Sequence, residues 1–369
     1  MNNKKVIDLF AGCGGFSLGF EKCNYQIVKA VEFDQDIAKT YKENHKHTQL
    51  FVTDIGKIDN QNYFRQGEVD VIIGGPPCQG FSMAGARIRK TSFIEDPRNY
   101  LFKHYVNVVK IVKPKVFLFE NVKGILSMKD GEIFKEILSA LSNKENFDGE
   151  QYNLYHYVIN AVDYGVPEKR QRVFILGVKN KNIEFNELDK KCRKKILNKY
   201  PHFFDYVSVG DAICGLEKTT EDGVVSNLFP KNEYQKYLLT ESKETFNHNK
   251  TKHKLSAIDR MKKIRVGENF SVLKENIKSV HSGAYGRMDP NKPSMTITTR
   301  FDTPSGGRFI HPTENRTITA REAARIQSFP DNFRFYGSKT SICKQIGNAV
   351  PPKLAFYCAS LIEEILDND

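Results

Sequence analysis

The chain has 369 residues, 40% hydrophobic and 27% charged, and its 56 Lys and Arg outnumber 44 Asp and Glu for a net charge of +12. That size and apolar content point to a soluble, globular protein of two domains with a substantial core. No apolar run approaches the roughly 18 residues of a membrane span. The positive charge favours a polyanionic partner, although a lysine-rich solvated surface gives the same total.

The cysteines, at positions 13, 23, 78, 192, 214, 343 and 358, form no CxxC pair and leave one over. This argues against a disulfide framework and against a metal site, and most are expected to be small buried hydrophobes. The opening MNNKKVIDLF runs straight into strand-like residues without a signal-peptide pattern. An intracellular, cytoplasmic protein is therefore expected.

In chain order, KKVIDLF, IVKAVEF, LFVTDI, VDVIIGG, KVFLFENV, YHYVINAV and QRVFILGV are apolar, β-branched runs of strand length. Between them lie helical patterns, such as Leu101, Tyr105, Val108 and Val112, and Ile133, Ile137, Leu138 and Leu141. The alternation predicts an α/β fold, a mainly parallel sheet with helices on both faces.

From about Lys179 this rhythm is lost. Between Lys179 and Arg265 there are 19 Lys and Arg against 12 Asp and Glu, with weak periodicity. Phe203, Phe204, Tyr206, Tyr234, Tyr237 and Phe246 provide more aromatic mass than a disordered linker carries, so a second, smaller, irregular and basic domain is expected. SMTITTRFDTPSGGRFI then supplies strand-like material and a Gly-Gly turn. TAREAARIQSF reads as a helix with a capping box between Thr319 and Glu322, and KLAFYCASLIEEIL as an amphipathic helix set off by Pro351 and Pro352.

DLFAGCGGFSLGF is a strand, a turn with Gly12, Gly14 and Gly15, and a helix-like segment. Such glycines allow a tight turn and close approach of a ligand at the carboxyl edge of a parallel sheet. The spacing lacks the third glycine of GxGxxG, so it is not a dinucleotide fingerprint. Glu32, closing the next strand about 20 residues on, is placed to accept ribose hydroxyls, and Asp54 to reach an adenine edge. Taken singly, both also fit polar strand ends facing solvent; the ordered trio favours a nucleoside-type cofactor.

GGPPCQGFS sets Cys78 after the fourth strand, behind Pro76 and Pro77, which fix φ on the approach. Gly74, Gly75 and Gly80 are expected to let another molecule come close. This rigid setting ranks Cys78 as a nucleophile above core filler. No histidine lies nearby in sequence; instead VFLFENV places Glu120 and Asn121, and EKRQRVFILG places Arg170 and Arg172, on neighbouring strand ends. Arg170 and Arg172 share one side of a strand at a period of two.

With these motifs in order, the chain resembles the DNA cytosine-5 methyltransferases, and the resemblance covers nearly all of it except the middle segment. DLFAGCGGFSLGF is similar to the family's cofactor loop, GGPPCQGFS to its nucleophile motif, ENV to its carboxylate motif and EKRQRVFILG to its arginine strand. REAARIQSFPD and QIGNAVPP are similar to its two C-terminal motifs. The resemblance implies a Rossmann-like methyltransferase sheet that binds S-adenosylmethionine and releases S-adenosylhomocysteine, with 1–179 as the catalytic and cofactor-binding domain, completed by 338–369, and 180–337 as the target-recognition domain. It implies Cys78 attacking cytosine C6, Glu120 lending a proton at N3, Arg172 at the O2 side, Asn121 holding the loop and Arg170 beside them.

The same resemblance places Phe10, Ala11, Gly12, Gly14, Gly15, Glu32, Phe33, Asp54, Ile55, Pro76, Asn348 and Val350 around the cofactor. It makes Ser82 to Asn99 a mobile loop closing on DNA, with Gln79, Ser82, Arg87, Arg89 and Lys90 at the nucleic acid. In the middle segment, Thr296 and Ile297 match the family's pair against the target phosphate and flipped base, and Arg287, Arg300 and Arg308 are candidate base or phosphate contacts. The implied partner is double-stranded DNA, in the bacterial nucleoid, without metal or membrane and with the protein as a monomer. The short N-terminus suggests a bacterial or phage modification enzyme.

Three other readings compete. Some relatives methylate transfer RNA, but these have a short middle segment and a Cys-Phe-Thr stretch that this chain lacks. A non-catalytic DNA-binding relative leaves Cys78, Glu120 and Arg172 unexplained. A nicotinamide oxidoreductase explains neither Cys78 nor the basic middle segment.

Overall fold

The computed structural model describes residues 4–77, 100–216, 218–239, 243–273, 275 and 282–367. Its first half runs β1 (Lys5–Leu9), α1 (Gly15–Lys22), β2 (Gln26–Glu32), α2 (Gln35–Asn44), β3 (Gln49–Val52) and β4 (Val71–Gly74). There follow α3 (Leu101–Val112), β5 (Val116–Val122), α4 (Glu132–Ser142), β6 (Tyr152–Asn160), β7 (Glu168–Lys169) and β8 (Gln171–Lys179). A seven-stranded sheet has the order β3-β2-β1-β4-β5-β8-β6. From β3 to β5 neighbours are parallel, while β8 lies antiparallel between β5 and β6.

The strands read as continuous apolar runs because both faces are covered. Val71 and Ile73, Val116 and Leu118, and Phe174 and Leu176 point into one core, with Phe16 and Phe20 of α1. Ile72, Phe117, Phe119, Val173 and Ile175 point into the other, under α3 and α4. This is the period-two alternation of a pleated strand repeated across the sheet. The six described cysteines are free, and among them only Cys214 is exposed.

Beyond β8 come α5 (Phe185–Lys199), α6 (Val209–Ile213), α7 (Glu233–Leu238), α8 (Leu255–Lys262), β9 (Ser294–Met295), α9 (Ala320–Ile326), α10 (Lys339–Asn348) and α11 (Pro352–Leu366). The packing divides the chain differently from the sequence-based boundary at 180. Cys192 and Ile196 of α5, and Phe203 after it, join the core that contains the sheet. Val209, Tyr234, Ile297, Phe309 and Phe333 form another core, which also takes Cys343 and Ile346 of α10.

Three local expectations differ from what is observed. The terminal helix α11 has no solvent face: every residue except Glu363 is buried, because it is wedged between α1 and α5. The helix from Thr319 has the expected capping box but ends at Ile326, since Ser328 takes φ 63° and Pro330 follows. In the stretch from Ser294 to Ile310 only Ser294–Met295 is a strand, pairing with β7. The next apolar main-chain donor, Ile297 N–H, goes to the Glu168 carboxylate at 2.6 Å instead of a ladder.

Candidate active site

The strand register brings Glu120 and Arg172 together. Glu120 lies opposite Phe174 and Val122 opposite Arg172, so Glu120 and Arg172 share a face as diagonal neighbours. Arg172 Nε stands 3.0 Å from Glu120 Oε1, and both residues are buried. Burial pushes the Glu120 carboxyl above its ordinary range, although the Arg172 and Arg170 charges oppose it. Arg172 itself is pulled down to about 10 by burial and by the charge of Arg170. A carboxyl held toward its neutral form at a sheet edge is equipped to donate a proton.

Asn121 faces the other way and is bonded to the proline turn. Its amide donates to the Pro76 carbonyl at 3.0 Å, while its own oxygen accepts from Val122 N–H at 2.9 Å. Cys78, Gln79, Gly80, Ser82, Arg87, Arg89 and Lys90 lie outside the described residues. The expectation for the glycine pair before them changes. A Cβ on Gly75 would stand 2.7 Å from Glu120 Oε2, and one on Gly74 would stand 2.5 Å from the Leu9 carbonyl oxygen. The space these glycines leave is filled by the protein itself, and at Gly75 by the Glu120 carboxylate.

Arg170 is not at the reacting edge with Arg172. Its fully buried guanidinium donates to the Gly347 and Ala349 carbonyls, each at 2.9 Å, and to Glu168 at 3.3 Å. It thereby ties the arginine strand to the segment that returns from the C-terminus. Glu168, which sequence reasoning passed over, is also fully buried and joins Arg170 to the Ile297 main chain. Its signal was the alternation Glu168, Arg170, Arg172, three charged residues at a period of two in sequence.

The glycine turn is closed by Glu32, whose two oxygens accept from Gly12 N–H and Asp34 N–H, each at 2.8 Å. Each oxygen keeps acceptor capacity for a ligand hydroxyl. A Cβ on Gly12 would meet nothing within 4 Å, so open space adjoins that backbone. Gly14 and Gly15 serve packing instead: a Cβ there would strike His45 Nε2 at 2.1 Å or the Val350 carbonyl at 2.5 Å. Phe10 holds φ 60°, a costly conformation for an aromatic residue and one concentrated at functional sites. Phe33 is 72% exposed, and Asp54 and Asn348 are exposed, whereas Ala11, Pro76 and Val350 are buried. Ile55 is a correction: its side chain is part of the core under α3, which leaves only its main chain for a ligand.

Beneath this turn Asp8 is fully buried, accepting from Ser17 Oγ at 2.6 Å, with Tyr41 Oη 2.8 Å from the same hydroxyl. Burial raises Asp8 to about 7, against the lowering effect of Ser17. Nothing in the apolar pattern of the first strand marks this network.

Among the nucleic-acid candidates, Arg287 is a correction. Its guanidinium is buried and donates to the carbonyls of Ile264, Met261, His311 and Glu314 and to Asn315, which leaves no free donor for DNA. Arg308 is half-buried and donates from one nitrogen to the Gly267, Glu268 and Arg287 carbonyls. Ile297 is in the core, so its side chain is withdrawn from any base, and Thr296 donates to the Lys169 carbonyl at 2.7 Å. Arg300 is exposed, with Asp302 at 3.8 Å. Among the described residues no group of three or more side chains is arranged to hold a metal, and no helix is long and apolar enough to cross a membrane.

Comparison with known proteins gives the family. The chain is 36% identical to the type II methyltransferase M.DdeI of Desulfomicrobium norvegicum, over 98% of this chain and 89% of that one. It is 34% identical to the type II methyltransferase M1.HphI of Haemophilus parahaemolyticus, over 98% and 87%. A crystal structure from E. coli, named for a DNA modification methyltransferase encoded within a prophage, superposes with a TM-score of 0.73 at 27% identity, covering 99% of this chain and all of that one. The family model for C-5 cytosine-specific DNA methylases matches residues 4–364. The chain therefore belongs to the C-5 cytosine-specific DNA methylase family and is a DNA cytosine-5-methyltransferase.

Proposed function

We propose that this enzyme methylates C5 of a cytosine flipped out of a specific duplex DNA sequence, as the modification partner in a type II restriction-modification system. The type II reading is carried over from the names of its relatives. The chemistry rests on one observation above all: a buried carboxyl pushed toward its neutral form, Glu120, paired with Arg172 beside the proline turn that leads to Cys78.

Cytosine C5 is a poor nucleophile until C6 is attacked. Cys78 adds through its thiolate to C6, and Glu120 gives its proton to N3 as negative charge enters the ring. Arg172 stabilises that charge from the O2 side. S-adenosylmethionine, held at the glycine turn, would supply an electrophilic methyl group to C5, with S-adenosylhomocysteine as the leaving group. Return of the N3 proton to Glu120, loss of the C5 proton to a base and expulsion of the Cys78 sulfur as thiolate then restore the neutral aromatic ring. The residues present fit that cofactor: open space at Gly12, spare acceptor capacity on Glu32, and the exposed Phe33 and Asp54. Because C6 is hidden in a stacked duplex, the base is extruded at a cost of a few kcal/mol.

The test is methyl transfer to duplex DNA by wild type and Cys78→Ala, followed by bisulfite sequencing of DNA from expressing cells. The variant is expected to lose methylation entirely while keeping duplex binding, since phosphate contacts supply much of the affinity. Full activity in the variant would refute the nucleophile; methylation of transfer RNA alone would refute the substrate.

A further inference from the structure

A cavity of about 420 Å³ opens where the end of α1, the turn after α5, helix α7 and helix α11 meet. It shares no lining residue with the site described above. Its walls include Tyr200, Phe203, Tyr234, Tyr237 and Phe356, together with Lys22 and Lys353. The two lysines crowd one ring: their ammonium groups lie 4.4 and 5.3 Å from the Tyr237 centroid. Lys353 also stands 4.7 Å from the Phe203 centroid and 5.4 Å from that of Tyr234.

This arrangement is incomplete electrostatically. Aromatic faces attract a cation by about 0.5–2 kcal/mol, well short of the several kcal/mol that burial of an ammonium costs. Among the described residues neither lysine has a carboxylate within 4.0 Å, and the Lys353 ammonium donates to the Gly165 carbonyl at 3.1 Å. The Tyr237 hydroxyl is buried and likewise has no partner among the described residues. Burial lowers Lys353 to about 7 and Lys22 to about 8. A buried lysine, a half-buried one, an unpartnered hydroxyl and aromatic walls surround a cavity of ligand size whose one lining carboxylate, Glu233, is paired with Lys236; an anion entering it would hold both lysines in their charged form.

We propose that this cavity is a second ligand site, which binds a small planar aromatic anion, its acidic group at Lys22 and Lys353 and its ring among the tyrosines and phenylalanines. The volume exceeds what a lone phosphate fills, and the walls suit a ring. Such a ligand bridges helices of the sheet domain, α1 and α11, and helix α7 of the middle module.

The probe is 8-anilinonaphthalene-1-sulfonate, titrated by fluorescence into full-length enzyme saturated with S-adenosylhomocysteine, so that the cofactor pocket is filled. One saturable site is expected. Lys22→Met and Lys353→Met should each weaken it at least tenfold, and Tyr237→Phe several-fold, in proteins that still bind S-adenosylhomocysteine. On the wild type, the uncharged N-phenyl-1-naphthylamine should bind at least tenfold more weakly than the sulfonate, a comparison that holds even if a variant fails to fold. Equal binding of charged and uncharged probes, or unchanged affinity in both lysine variants, would overturn the proposal.

Discussion

Burial and charge compete directly at Glu120. Desolvation raises its carboxyl, the neighbouring guanidinium groups lower it, and desolvation wins. Glu120→Gln keeps the shape and removes the transferable proton. Methyl transfer is expected to fall by about 10²–10⁴, the range of a lost general acid, while S-adenosylhomocysteine affinity stays within a few-fold; single-turnover kinetics and calorimetry check the two halves. A loss of cofactor binding equal to the loss of rate would assign Glu120 to folding instead. Asp8 makes a second residue-scale case. Its folded value of about 7 lies above its ordinary 3.8, so its contribution to stability is full below pH 3.8 and is lost as pH rises through 7. Asp8→Asn still accepts from Ser17 but does not titrate. Between pH 5 and pH 8 wild type should lose more denaturant stability than the variant, and equal losses would refute the assignment.

At the scale of elements, α1 and α11 approach as closely as glycine permits. A Cβ on Gly19 would lie 2.3 Å from the Ala355 Cβ and 2.5 Å from Phe356 N. Gly19→Ala gains up to about 1 kcal/mol of helix propensity but must push two packed helices apart, typically at about 1–3 kcal/mol. A lower melting temperature is expected, and an equal or higher one would show that the helices separate freely. The strands of the sheet were legible in the chain because each apolar run is long and buried on both faces. The capping box of α9 was legible because it is local. The burial of α11 was not: an amphipathic helix carrying Lys353, Glu363 and Glu364 is expected to keep a solvent face, yet two of the three are buried. At the site, the pairing of Glu120 with Arg172 followed from strand order. The separate task of Arg170 did not, because its partners, the Gly347 and Ala349 carbonyls, are main-chain atoms 177 and 179 residues away.

Across the whole molecule the net charge of +12 sets an attraction for duplex DNA, but the structure separates arginines that can express it from those that cannot. Arg287 and Arg300 look alike in the sequence of the middle module. The first is buried with its donors satisfied by five acceptors, and the second has 61% of its side chain exposed. Each phosphate neutralised by a lysine or arginine releases counterions and adds about 0.9 to the slope of log affinity against log salt. Arg300→Ala is therefore expected to leave the melting temperature within error and to reduce that slope by about 1, if its side chain meets a phosphate. Arg287→Ala strands several buried carbonyls, each costing about 1–3 kcal/mol, so it should lower the melting temperature sharply. Where the variant remains folded, it should leave the salt slope of binding unchanged. Binding isotherms between 50 and 200 mM salt, paired with thermal unfolding of the same samples, distinguish the two. A reduced slope for Arg287→Ala without loss of stability would return that residue to the DNA face and would mean that the core of the middle module rearranges on binding.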